Sequence, residues 1–194
     1  DDLVVYELSS FQLWDLELSP HTAVVLMIEA DHLDVHKDFD EYIAAKGNIV
    51  RHQRANDYVI YKENNVHARS IAAVSTGKKI AFQSSSSAHI RDDGVYYGEQ
   101  KLCTLDAIAL PGKHNQDNAC AAINACWSYT QDTSAIASGL TSFKGLPHRL
   151  RHVRTINGVK YYDDSIATTP GSAIAAIQAF DQPKIIILGG SSKG

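Results

Sequence analysis

The sequence contains little cysteine or methionine and no long apolar run, and each shortage excludes a class of protein. Three cysteines and one methionine occur in 194 residues, and no two cysteines have the CxxC spacing of a zinc or dithiol site. An odd number of thiols in apolar surroundings predicts unpaired cysteines without a disulfide framework. No apolar stretch approaches the ~18 residues that span a bilayer, so we expect no membrane helix and no membrane partner.

Positive charge is also limited and dispersed. The chain carries 18 lysines and arginines against 22 aspartates and glutamates, for a formal net charge of -4, and the basic residues form no run. Nucleic-acid binding needs a concentrated basic surface, so small soluble molecules are the expected partners. The first residues lack the charged-then-apolar order of a signal peptide, and we expect a cytoplasmic monomer.

Short apolar, β-rich segments alternate with helix-like segments along the chain. The pattern is typical of an α/β fold, a mostly parallel sheet with flanking helices. The strand-like runs lie at 3–7, 23–30, 58–62 and 79–83, and the helix-like runs at 39–54 and 65–74. Residues 88–110 carry an Asp-Gly turn signal and predict antiparallel strands. Helices are expected at 115–130, with Asn115 or Asp117 as the cap, and at about 133–143.

A Gly- and Pro-containing stretch predicts a division into domains. GLPHR at 145–149 has the composition of a hinge, and new β-like segments come directly after it. We therefore assign 1–147 to one domain and 148–194 to the start of a second, Rossmann-like domain. The chain begins inside an expected strand without a starter Met and ends just after another, at 184–188. Sequence is expected to be missing on both sides.

Polar side chains come after the first two expected strands. Glu7 ends the first strand, with Ser9 just beyond it, and DHLDVH (31–36) lies beyond the second. Ligands of α/β proteins bind beyond the carboxyl ends of parallel strands, and carboxylate oxygens with an imidazole suit Mg²⁺ or Mn²⁺. A solvated polar loop explains DHLDVH equally well.

Other polar residues have ordinary explanations when taken alone. Lys46 has the position of a surface cation on a helix, and Asn118 that of a residue in a cap. DDS at 163–165 precedes a helix expected at 170–180 with Thr169 as its cap. Hydroxyl and backbone N–H groups at a helix start favour an anion or ribose site, and a plain capping turn remains open.

Together, the order and wording of these segments resemble the Mur ligases, and among them the branch that adds glutamate to UDP-N-acetylmuramoyl-L-alanine. Seven motifs in the family's order carry the resemblance over nearly the whole chain. They are ELSSFQL (7–13), DHLD (31–34), AAK (44–46), LPGKHNQDNACAA (110–122), GLPHR (145–149), DDSIATTP (163–170) and LGGSSKG (188–194). ELSSFQL discriminates this branch, since the diaminopimelate- or lysine-adding relatives tend toward EVSS.

The resemblance implies a three-domain, ATP-dependent amide ligase of peptidoglycan synthesis. ATP phosphorylates the alanine carboxylate of UDP-N-acetylmuramoyl-L-alanine, and the amino group of glutamate, D-glutamate in this branch, attacks the acyl phosphate. This chain would hold most of the central ATP-binding domain and the start of the C-terminal domain. It contains no GTNGK[ST]-type phosphate loop, and LGGSSKG does not match that pattern. The piece is therefore expected to be inactive alone.

The resemblance also implies a metal and substrate site. Glu7 and His32 would hold Mg²⁺, or Mn²⁺ in its place, and Lys46 matches the lysine that family members carbamylate into a further metal ligand. Ser9 and Gln12 would face the acyl phosphate or the nucleotide-sugar substrate. Lys46, His32 and Ser9 are the expected catalytic residues, and Gln12 is an expected substrate contact.

By the same resemblance, four residues would bind ATP. Asn115 and Asn118 would approach the adenine, while Arg149 and Asp164 would hold the ribose and phosphates.

Thr168 and Lys193 match positions that contact the carboxylates of the incoming glutamate. Two departures from the family pattern are present: Ile166 replaces a common Lys, and Glu29-Ala30 replaces the TP that usually precedes DHLD. Ile166 leaves the choice between D- and L-glutamate open, so an L-glutamate-adding variant is one alternative. A non-catalytic nucleotide-binding module and a folylpolyglutamate-synthase-like ligase are the others, although the latter fits ELSSFQL poorly.

Overall fold

The computed structural model describes residues 2–31 and 35–190, which form two compact units. The first unit ends at Phe82 and the second begins at Gln83.

A parallel sheet with helices makes up the first unit. Its strands are β1 (Thr22–Val25), β2 (Tyr58–Lys62) and β3 (Lys78–Phe82), paired in that order. Its helices are α1 (Ser10–Leu13), α2 (Phe39–Arg51) and α3 (Val66–Val74). α2 connects β1 to β2 and α3 connects β2 to β3, as parallel pairing requires. The predicted parallel sheet with helices is confirmed.

The middle strand β2 supplies the centre of the core. Val59 and Ile60 are both fully buried, because the middle strand of a parallel sheet is covered on both faces. Val59 packs with apolar side chains from β1, α2 and α3, namely Ala23, Val25, Tyr42, Val50, Ala68, Ile71 and Ala72. The positions of α2 and α3 are thus set by burial against the sheet.

Short polar side chains begin both long helices of this unit. Asp38 Oδ1 accepts a hydrogen bond from the Glu41 N–H at 2.9 Å, ahead of α2. Asn65 Oδ1 accepts from the Ala68 N–H at 2.9 Å, ahead of α3. These caps satisfy N–H groups that have no partner inside the helix and set where each helix starts.

An antiparallel sheet opens the second unit. Its strands are β4 (Ala88–Arg91), β5 (Gly94–Tyr97) and β6 (Gln100–Thr104), as predicted for 88–110. The helices α4 (Lys113–Cys126) and α5 (Thr133–Ser142) come next and pack against β4 and β6 respectively. Asn124 fastens α4 to β4, since its Oδ1 accepts from the Ala88 N–H at 3.2 Å. All three cysteines are free thiols, as predicted.

The start of α4 differs from the prediction. The N-cap is Gly112, with a φ of 96° in the left-handed region that glycine tolerates, and no side chain caps the helix. Asn115 lies inside the first turn and its Nδ2 donates back to the Pro111 carbonyl at 2.7 Å. The prediction of Asn115 or Asp117 as the cap was wrong, because the helix begins directly at the Pro-Gly turn.

The second unit ends with a hairpin and a helix. The hairpin pairs β7 (Arg151–Ile156) with β8 (Val159–Asp163), and α6 spans Pro170–Gln178. Thr169 Oγ1 accepts from the Ser172 N–H at 3.3 Å, which confirms the predicted cap.

The domain boundary at 147 and the Rossmann-like character of 148–194 stay predictions. No helix in the described ranges is both long and apolar enough to cross a membrane.

Two predicted strands are not formed. Residues 3–7 and 184–188 have no regular secondary structure, and Val5 and Ile187 are 99% and 96% exposed. A strand exists only beside a partner that accepts and donates its backbone hydrogen bonds. Within the described residues neither segment is paired in a sheet, so apolar, β-branched composition alone does not make a strand.

Candidate active site

Lys46 is a partly desolvated amine beside two carboxylates. It projects from α2 in a half-buried position, and its Nζ lies 5.0 Å from the centre of the Tyr42 ring. The two residues are four apart, which places them on one face of the helix. Burial lowers the pKa of Lys46, while the negative charges of Asp31 and Glu7 oppose part of that shift.

Glu7, a predicted metal ligand, and Asp31 both lie within electrostatic range of Lys46. Glu7 lies just before α1, and Asp31 lies beyond β1. Burial, and secondarily the charge of Asp31, also raises the pKa of Tyr42. His32, the third predicted ligand, lies outside the described residues. Within 2–31 and 35–190, no three His, Cys, Asp or Glu side chains are close enough to hold a metal ion.

The donor chemistry of this cluster fits a hard divalent cation. Glu7 supplies carboxylate oxygens near Lys46, and a carbamate on Lys46 would add another anionic oxygen group. Carbamylation requires the neutral amine, and a lowered pKa increases the neutral fraction of Lys46 at any given pH. The described part of the cluster thus offers one carboxylate donor beside an amine with a lowered pKa, and the metal ligands stay a prediction.

Ser9 and Gln12 form a capping box on the one-turn helix α1. The Ser9 N–H donates to Gln12 Oε1 at 2.9 Å, and the Gln12 N–H donates to Ser9 Oγ at 3.3 Å. Gln12 Nε2 also donates to the Tyr6 hydroxyl at 3.1 Å. Both predicted site residues are thus held in a single turn just after Glu7, and their contact with substrate stays a prediction.

Asn115 and Asn118 lie together on the first turns of α4. Their spacing of three places them side by side on the helix surface, where Asn118 Nδ2 donates to Asn115 Oδ1 at 3.5 Å. The structure therefore presents two carboxamides at one end of α4. Their contact with adenine stays a prediction.

Arg149 and Asp164 belong to turns that hydrogen-bond to each other. Asp164 Oδ1 accepts from the Leu150 N–H at 2.8 Å, and His148 Nδ1 lies 2.7 Å from Asp163 Oδ2. The motifs GLPHR and DDSIATTP, 14 or 15 residues apart at these contacts, are thereby brought into one place. The Asp164 carboxylate therefore helps to hold these two turns together. Its contact with the ribose and phosphates of ATP stays a prediction.

The predicted glutamate contacts are described only in part. Thr168 is exposed and directly precedes the cap of α6, and Ile166 is also exposed. Lys193 lies outside the described residues, so the pairing of Thr168 with Lys193 stays a prediction.

Three further side chains lie near this site. From the sequence, His36 stands out only as the last residue of DHLDVH, and neither Tyr42 nor Asn48 is assigned to the site. Tyr42 lies under Lys46, Asn48 donates to two carbonyl oxygens at the end of α1, and His36 packs against the same turn. The i,i+4 spacing of Tyr42 and Lys46 is a signal that could have found the first. The other two depend on contacts between distant segments and leave no local pattern.

Comparison with known proteins shows where the sequence belongs. The family model "Mur ligase middle domain" matches residues 1–126. The UDP-N-acetylmuramoylalanine--D-glutamate ligase of Symbiobacterium thermophilum is 39% identical over 202 residues, which cover 99% of this chain and 44% of that protein. The chain thus spans less than half the length of the curated relatives it matches.

Solved structures share the fold at lower identity. MurF from Acinetobacter baumannii aligns with a TM-score of 0.65 and 21% identity, covering 86% of this chain and 38% of that one. MurF ligase from Thermotoga maritima in complex with ADP aligns with a TM-score of 0.63 and 18% identity, covering 83% and 39%. With the middle-domain model matching most of its length and a named ligase matching nearly all of it, this chain belongs to the Mur ligase family.

Proposed function

We propose that this chain is part of an ATP-dependent ligase that adds D-glutamate to UDP-N-acetylmuramoyl-L-alanine in peptidoglycan precursor synthesis. The observation that carries the proposal is the match along nearly the whole chain to a relative named for this reaction. Because the chain covers less than half of that relative, the activity is proposed for the full-length protein. We also propose that the protein acts as a cytoplasmic monomer.

The cluster around Lys46 supports the first chemical step. Phosphoryl transfer to a carboxylate requires that charge on the transferring oxygens be neutralised. Mg²⁺, or Mn²⁺, supplies that neutralisation when bound, and we assign Glu7, His32 and carbamylated Lys46 as its ligands. Partial burial favours the neutral amine of Lys46 that carbamylation needs.

The remaining polar residues are assigned to the substrates. Ser9 and Gln12 would contact the acyl phosphate or the nucleotide sugar, because the capping box presents both in the turn after Glu7. Asn115 and Asn118 would contact the adenine of ATP.

On the other side of the proposed boundary at 147, Arg149 and Asp164 would contact the ribose and phosphates of ATP. Their support is the hydrogen bonding that joins GLPHR to DDSIATTP. Thr168 and Lys193 would receive the carboxylates of glutamate, since a hydroxyl donor and a cation both suit an anion.

A glutamate-incorporation assay on the full-length protein tests this function. With ATP, Mg²⁺ and UDP-N-acetylmuramoyl-L-alanine present, phosphate release should depend on D-glutamate, and omission of the nucleotide sugar should abolish it. Ile166 occupies the position of a common family lysine, so L-glutamate is the matched comparison. Preference for L-glutamate would establish the variant ligase, and no incorporation of either enantiomer would favour a non-catalytic nucleotide-binding module.

A further inference from the structure

The helix α1 carries Ser9 at its N-cap and Gln12 within it, yet it is a single turn of four residues. Nucleating an isolated turn is unfavourable, so a helix this short owes its stability to contacts with the rest of the fold. The positions of Ser9 and Gln12 therefore depend on the side chains that hold α1 from outside.

His36 contacts side chains from the start of this turn to its C-cap. The side chain is buried, and its Nε2 lies 2.9 Å from Ser10 Oγ in a buried hydrogen bond. The imidazole also stacks on two aromatic rings of the turn, with centroid distances of 4.5 Å to Trp14 and 5.5 Å to Phe11. One side chain from the segment before α2 thus contacts α1 by hydrogen bonding and by ring packing.

Asn48 supports the C-terminal end of α1 by hydrogen bonding. Its Nδ2 donates to the Leu13 carbonyl at 2.8 Å and to the Trp14 carbonyl at 2.9 Å, and the residue is buried. Carbonyls at a helix C-terminus have no intrahelical partner, and Asn48 supplies one. Asn48 lies on α2 two residues after Lys46, so the same helix carries the candidate metal-binding lysine and the support of α1.

His36 also reaches the other half of the candidate site. Its ring meets the Tyr42 ring edge-on with centroids 5.3 Å apart, and Tyr42 is the ring under the Lys46 ammonium. The imidazole is therefore packed between the turn that carries Ser9 and Gln12 and the face of α2 that carries Lys46.

We propose that His36 and Asn48 are positioning residues that hold the α1 turn, and with it Ser9 and Gln12, in register with Lys46 for the ligase reaction. The proposal rests on the proposed function. Neither residue contacts the reacting atoms in this role, since both act through α1.

Kinetics of the full-length enzyme test the role of His36. Ser10→Ala and His36→Phe remove the same hydrogen bond from opposite sides, and the Phe ring preserves much of the stacking on Phe11 and Trp14. Each variant should lower kcat/KM for UDP-N-acetylmuramoyl-L-alanine by about tenfold, the scale of one lost buried hydrogen bond, and leave the KM for ATP unchanged. The double variant should be no worse than either single variant, because the two changes remove one interaction. His36→Gln, whose amide reaches the position of Nε2, should recover part of the rate.

Asn48→Ala extends the test to the other end of α1. It should reproduce the effect on the nucleotide sugar, because the Leu13 and Trp14 carbonyls lose their donor.

Ser75→Ala is the control, since it removes two buried hydrogen bonds of the same unit that do not involve α1. Ser75 Oγ donates to Gln53 Oε1 at 2.7 Å and accepts from the Gly77 N–H at 2.9 Å. The variant should lower the unfolding temperature and leave kcat/KM for the nucleotide sugar and the KM for ATP unchanged. If kcat/KM for the nucleotide sugar falls equally in Ser75→Ala, the proposal is overturned, because general destabilisation would then explain the effect.

Hydrogen exchange at the Leu13 amide provides a readout that does not depend on catalysis. This N–H donates to the Ser9 carbonyl at 3.2 Å, so its protection reports whether the turn is formed. Exchange should accelerate in His36→Phe and in Asn48→Ala. Unchanged exchange, or faster exchange with unchanged kinetics, would overturn the positioning role while the ligase activity of the wild type stands. A wild-type enzyme without glutamate incorporation would instead overturn the proposed function.

Discussion

Lys46 combines three properties that a surface lysine lacks: partial burial, an aromatic ring beneath the ammonium, and two carboxylates within electrostatic range. If its carbamate holds the metal, Lys46→Ala in the full-length enzyme should lower kcat by at least about a hundredfold, the usual scale for one lost electrostatic group in an active site. Bicarbonate or a short carboxylate such as acetate should restore part of the activity by occupying the vacated position. Lys37→Ala is the control, since the Lys37 side chain is 84% exposed, and it should behave as wild type. Near-normal turnover of Lys46→Ala would refute the carbamate role.

Asp163 offers a prediction that needs no substrate. A hydrogen bond from the Ser165 backbone, and after it one with His148, lowers the pKa of Asp163 from 3.8 to about 2. Because the folded-state pKa is depressed, the ionised carboxylate stabilises the fold above the ordinary value of 3.8, and that contribution is lost as the pH falls toward 2. His148→Ala should raise the pKa of Asp163 only partway, since the Ser165 bond remains.

A carbon-detected NMR titration of the Asp163 carboxyl measures this shift directly. His152→Ala serves as control, because His152 bonds to Thr155 and makes no contact with Asp163 that bears on its charge. An unchanged Asp163 titration in His148→Ala would show that the 2.7 Å contact is not formed in solution.

At the level of elements, Gln83 joins β4 to α4 through a single side chain. Its Oε1 accepts from the Ile90 N–H at 2.9 Å and its Nε2 donates to Asp117 Oδ1 at 2.8 Å, while its own φ is 63°. Gln83→Ala loses both bonds and keeps the strained backbone, so it should lower the free energy of unfolding by about 1–3 kcal/mol. Gln83→Gly loses the same bonds and tolerates the positive φ, so it should be more stable than the Ala variant by roughly 1 kcal/mol.

Urea unfolding monitored by circular dichroism compares the two variants with Gln100→Ala, an exposed glutamine of β6, as the neutral control. A Gly variant no more stable than the Ala variant would show that the backbone of residue 83 is not strained.

The elements that the sequence predicts correctly are those determined by residues that lie next to one another in the chain. The apolar run at 58–62 became β2, residue for residue, because a central strand is covered on both faces. The start of α4 was predicted wrongly, because Asn115 and Asp117 are good caps in general and the Pro111-Gly112 turn decides the outcome here. Spacing on a helix could place Tyr42 beside Lys46. Nothing local could place His36 beside Ser10, 26 residues away, since that contact exists only after the sheet and helices have packed.

At the scale of the whole molecule, two apolar segments stay uncovered. Val5, Ile185 and Ile187 are 99%, 97% and 96% exposed, in segments whose backbone is paired in no sheet of the described chain. Exposed, unpaired segments of β-branched residues are templates for pairing with another copy. The 194-residue chain prepared by itself should therefore self-associate as its concentration rises, even though we propose a monomer for the full-length protein.

Sedimentation velocity over a concentration series tests this expectation. Val5→Lys combined with Ile187→Lys should shift the distribution toward the monomer, because charge on an unpaired strand-like segment opposes edge-to-edge pairing. Val66→Lys separates this cause from a general gain in solubility: Val66 is 58% exposed but begins α3, where hydrogen bonding is completed within the helix. If Val66→Lys shifts the distribution toward the monomer to the same extent as the double variant, then net charge controls association. The unpaired segments would in that case not be its cause.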